Sequence, residues 1–89
     1  MNNKLVLQSI ASDLKRVSQS LQRGSPTVAS RFAQEVLRRK EEVDSSALAG
    51  YIGELLNHLD QAVTDAETAQ MYSTLLQNYT LRHSSSASS

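Results

Sequence analysis

The sequence predicts an all-α protein folded as a four-helix up-down antiparallel bundle. Apolar residues recur three and four positions apart in four separate stretches, the period of a helix with one buried face. Each stretch is bounded by residues that start or stop helices. Alternation of period two never persists, and β-branched residues are scattered, so nothing reads as a strand. The 89 residues allow one domain at most, of a size that buries only about 60% of its unfolded surface. Small helical proteins often gain stability by pairing, so homodimerisation is an alternative way to complete or extend the bundle, with long hairpins from two chains.

The first helix is expected over about 3–23. Asn2 or Asn3 can cap it, and Leu7, Ile10, Leu14, Val17 and Leu21 alternate three and four residues apart, like a and d positions of a heptad. Ser12, Lys15, Arg16, Ser18, Gln19 and Arg23 form a fully polar opposite face. Gly24 stands where a glycine ends a helix, and Ser25-Pro26 supplies an N-cap followed by proline at the first helical position. A second helix then runs over about 26–42. Val28, Phe32, Val36 and Leu37 give its apolar face, with Ala29 and Ala33 beside them.

Val43-Asp44-Ser45-Ser46 is the next break, with Asp44 or Ser45 as the cap of a third helix over about 45–62. That helix is the most apolar part of the chain, carrying Leu48, Ile52, Leu55 and Leu59, widened by Tyr51 and Leu56. Ser46, Ala49, Gly50 and Gly53 form a second strip of small residues along it. Each glycine inside a helix costs roughly 1 kcal/mol against alanine. Two within four residues imply a neighbour packed close to the backbone, within the molecule or across an interface. Thr64-Asp65-Ala66-Glu67 reads as a capping box for a fourth helix over about 65–82, which buries Ala69, Tyr72, Leu75, Leu76 and Tyr79. The bundle domain is thus 1–83, and the serine-rich remainder, 84–89, is expected to be disordered.

Composition excludes several classes of function. There is no cysteine, hence no disulfide framework and no thiolate metal site. Leu5 to Leu7 is followed at once by Gln8 and Ser9, which is not a signal-peptide core, and no run reaches the ~18 apolar residues of a membrane span. A cytoplasmic protein is expected. Glu54 and His58, four apart, make too few ligands for a metal, HExxH spacing is absent, and no nucleophile elbow or phosphate loop occurs. Asn78-Tyr79-Thr80 matches the glycosylation pattern by coincidence on a helix. The expectation is a non-enzyme without metal or cofactor.

Charge is zero overall but uneven. Residues 1–40 hold eight Lys or Arg against two acidic residues, a net +6, and residues 41–89 carry the compensating −6. Such halves can neutralise each other within a bundle or steer a partner. Arg38, Arg39 and Lys40 suit the negative end of a helix dipole, and with Arg31 they form a basic outer face on the second helix. The expected function is protein–protein interaction or regulation, through Arg31, Arg38, Arg39 and Lys40 or through Ala49, Gly50 and Gly53, with a protein partner or self-association. The alternative is a nucleic-acid-binding accessory protein using the basic faces of the first two helices. Against it, the second helix begins Pro-Thr-Val-Ala with its charge at the far end, Glu41, Glu42 and Asp44 follow, and the pI is near 6.7.

Overall fold

The computed structural model describes residues 3–44, 46, 48 and 50–88, with the backbone alone over 83–88. Five helices follow in order: α1 (Asn3–Gln22), α2 (Pro26–Lys40), α3 (Gly50–Asn57), α4 (Leu59–Ala62) and α5 (Ala66–Ser88). Among the described residues there is no strand. The radius of gyration is 12.7 Å, close to the ~12 Å of a compact chain this long.

The central element is α1, against which both α2 and α5 pack extensively. Its apolar stripe is buried as expected at Leu7, Ile10, Leu14 and Val17, with Leu21 partly buried. The first turn is made by Gly24, whose φ of 75° is left-handed and therefore costs a glycine little. Around it the Ser25 N–H donates to the Ser20 carbonyl and the Gly24 N–H to the Leu21 carbonyl, at 2.9 and 3.1 Å. This pair of bonds satisfies the last carbonyls of α1 and turns the chain back along it as α2. Ser25 precedes the helix without a side-chain capping bond, so proline alone marks the start. At the other end the Asn3 side chain grips the loop after α2, accepting the Asp44 N–H at 2.9 Å and donating to its carbonyl at 2.8 Å.

The expected polar face of α1 is exposed at Ser12, Lys15, Arg16, Gln19 and Arg23, but Ser18 is buried. Ala11, Ser18 and Ser20 lie under α1's neighbours, and α5 meets them with Ala69 and Ser73. Ser18 Oγ donates to the Ala66 carbonyl at 2.8 Å, and Ser73 Oγ to the Ala11 carbonyl at 2.6 Å. The two bonds step seven residues forward along one helix and seven back along the other, so α1 and α5 are antiparallel. A serine hydroxyl reaches a neighbouring helix's carbonyl only when the two backbones lie close, and each bond uses the second lone pair of an oxygen already in its own helix. The tight small-residue seam of this protein is therefore between α1 and α5.

The third helix departs most from expectation. It begins at Gly50 rather than near 45, and it is interrupted at His58. There the His58 N–H turns to the Leu55 carbonyl, 3.1 Å away, and the freed Glu54 carbonyl is met by His58 Nδ1 at 2.8 Å. A carbonyl can only accept, so Nδ1 is the donor, and the imidazole substitutes for the missing backbone bond. Ahead of α3, the Asp44 carboxylate accepts the N–H and hydroxyl of Ser46, which lies in a 3-10 turn, and not an N–H of α3. Ser45, Ala47 and Ala49 lie outside the described residues. Ile52, Leu55, Leu56 and Leu59 still reach the core.

The start of α5 is shifted by one residue from the expected box. Thr64 Oγ1 turns back to the Gln61 carbonyl, while Asp65 caps the helix by accepting the Thr68 N–H at 2.9 Å and its hydroxyl. Those two bonds hold the Asp65 carboxyl below its ordinary value. Helix α5 then runs to Ser88, beyond the expected end, because no glycine or proline follows to stop it. Replacing Ser73 by leucine should overpack the α1–α5 seam and destabilise the fold by about 1–3 kcal/mol or more, read by urea unfolding. A change below about 0.5 kcal/mol would mean that the helices are not in close contact there.

Candidate interaction surface

Of the four basic residues singled out on α2, Arg38 and Arg39 are already engaged, and only Arg39 reaches across to α1. Arg38 is bonded to Glu35 at 2.6 Å and lies 3.7 Å from Glu42. Arg39 reaches across to Asp13 of α1 at 3.6 Å and to Glu35 at 3.9 Å. Arg16 of α1 stands 5.5 Å from the centre of the Phe32 ring, a cation–π contact that also ties α1 to α2. Among the described residues Arg31 and Lys40 form no ion pair. Arg31 borders an open hollow of 460 Å³ lined by Pro26, Thr27, Ser30 and Gln34, all from α2. A depression on a single helix encloses nothing.

The electrostatics of this cluster are structural. Arg38's hydrogen bond holds the Glu35 carboxyl below its usual range. Burial raises Asp13 above its ordinary 3.8, and Arg39 and then Arg16 oppose the rise without cancelling it. The desolvation of Asp13 thus exceeds what its cations return, the common outcome for a half-buried ion pair. Because the folded pKa is the higher one, Asp13 favours the fold most below pH 3.8 and loses that contribution as pH rises through the folded value.

The small-residue strip of α3 is not a packing seam within the molecule. A Cβ built on Gly50 or on Gly53 would meet nothing within 4 Å. The close neighbour inferred from two helical glycines is absent at both positions, and Ala49 lies outside the described residues. The strip and the basic face are also not brought together, since the first is on α3 and the second on α2.

A different surface emerges on the other flank of α3. A groove of 350 Å³ between α3 and α5 is lined by Tyr51, Glu54, Leu55, His58, Tyr72 and Leu75. Tyr51 stands at its edge, 57% exposed, and packs edge-on against Tyr79 with ring centres 5.9 Å apart at 86°. Leu75, expected in the core, is 42% exposed, and Met71 one turn earlier is 52% exposed. Val28 of α2 is also exposed rather than buried. Leu75 lies opposite α3 across this groove, and the gap between the two helices leaves it open.

Beside this groove, Met71 borders a second hollow of 320 Å³ with Asp65, Glu67 and Thr68. Thr68, Met71 and Leu75 are three and four residues apart, so the two hollows share one face of α5. Among the described residues no cluster of His, Asp or Glu has the arrangement of a metal site, and no helix is long and apolar enough to cross a membrane. No protein-family model, curated protein or solved structure matches the chain.

Two substitutions test these assignments. Gly53→Ala should stabilise the fold by roughly 0.5–1 kcal/mol, since it adds helix propensity and meets no neighbour; thermal unfolding that shows a loss instead would reveal a hidden contact. Asp13→Asn should be as stable as the parent or more so at pH 7, with the two converging near pH 3. Denaturant unfolding at both pH values reads this, and a variant clearly weaker at pH 7 would show that the ion pair outweighs burial.

Proposed function

We propose that this chain is a small, cytoplasmic, non-enzymatic helical protein that acts by binding another protein, with the α3–α5 groove as its docking face. In this reading α3 and α4 together serve as the third member of a four-helix up-down arrangement, with the groove left between α3 and α5. One observation carries the proposal: Tyr51 and Leu75 remain exposed on the two sides of a groove that Leu55 and Tyr72 also line, and exposed Met71 continues the apolar face one turn earlier on α5, in the adjoining hollow. Isolated exposed apolar residues such as Leu5 or Val28 are ordinary on a protein surface, whereas a contiguous set rimmed by polar groups is the usual mark of an interaction site. Tyrosine and methionine suit such a surface because they bury much area and adapt to a partner's shape. The basic face of α2 is the weaker candidate, since Arg38 and Arg39 already have acidic neighbours within the chain.

Capture from a host lysate with the tagged chain, with and without nuclease, tests the proposal. The parent should retain a specific protein after nuclease, and Leu75→Asp should lose it while keeping its helical circular-dichroism spectrum. Capture that depends on nucleic acid, or that Leu75→Asp leaves intact, would contradict the assignment of the groove.

A further inference from the structure

We infer that the occupant of the α3–α5 groove is a basic amphipathic helix of a second protein, not another copy of this chain. The inference rests on the groove reading above and adds the chemistry of the partner. The apolar strip from Tyr51 through Leu75 to Met71 is bordered by Glu54 in one hollow and by Asp65 and Glu67 in the next, and no Lys or Arg lines either. Asp65 is held ionised by its two bonds to Thr68. Arg82, two turns beyond Leu75, is engaged within the molecule and lies at the opposite end from Glu67. An apolar stripe flanked by acids along a helix pair is complementary to a helix with apolar anchors every three to four residues and lysines or arginines beside them.

The same charges argue against self-association here. A two-fold dimer through this face would set Glu54, Asp65 and Glu67 against the same surface of the partner copy, where like charges repel. A head-to-tail contact would need a basic apolar helix from the chain itself. The outer face of α2 offers Val28 as its single strongly exposed large apolar residue, and two of its arginines are already paired.

Two synthetic amphipathic peptides with leucines at i, i+4 and i+7, one flanked by lysines and the other by glutamates, test this against the full chain by titration and amide NMR shifts. The lysine peptide should bind, move the resonances of Tyr51, Met71 and Leu75, and weaken with added salt. Its affinity should fall about three- to tenfold in the Glu54→Lys, Glu67→Lys double variant, and the glutamate peptide should bind at least as weakly. Equal binding of both peptides at the groove would overturn the charge assignment and leave the groove reading standing. Binding of neither, with partner capture indifferent to Leu75→Asp, would overturn both. A sedimentation-detected dimer abolished by Leu75→Asp would replace the foreign helix with a second copy.

Discussion

The close antiparallel contact of α1 and α5 sets where the other helices can pack. Ala11 and Ser18 on one helix and Ala69 and Ser73 on the other are all buried, and two serine hydroxyls bind the facing backbone. Small side chains permit that approach, and the hydroxyls are satisfied only because it occurs. A buried hydroxyl without a partner costs about 1–3 kcal/mol, so the seam is favourable as a whole and unfavourable in parts. With α2 also packed on it, α1 is the helix that both of its neighbours share, and Ser12, Lys15, Arg16 and Gln19 are left to solvent.

That arrangement decides what remains available for binding. Three cations of α1 and α2 are engaged within that pair of helices: Arg16 with Phe32 and Arg39 with Asp13 across it, and Arg38 with Glu35 along α2. The acidic half of the chain has no comparable set of internal cations, and its helices are uneven in length. A groove separates α3 from α5, and Leu75 stays open in it with Met71 exposed one turn earlier. The groove is thus a gap between two helices of the acidic half of the chain.

Local signals were legible in the sequence, and pairwise ones were not. The stripe of α1, the glycine that ends it and the proline that starts α2 depend on neighbours a few residues away, and all appear as expected. Ser18 looked solvated because serine on a polar face carries no mark of a neighbouring carbonyl forty-eight residues on. Gly50 and Gly53 suggested close packing by a rule that holds for many glycines, but the tight contact was made by alanine and serine elsewhere. Leu75 has the right period for the core, yet periodicity gives the direction of a face and not how much of it a partner covers. The interruption at His58 depends on a side chain replacing a backbone donor, which composition does not announce.

Amide hydrogen exchange of the chain, free and bound to the protein it captures, distinguishes the α3–α5 groove from the basic face of α2 as the docking surface. If the α3–α5 groove is the docking face, added protection should fall on residues 50–58 and 68–76 and leave 26–40 unchanged. Protection along 26–40 with no change in the groove would contradict the account and return the basic face of α2 as the working surface.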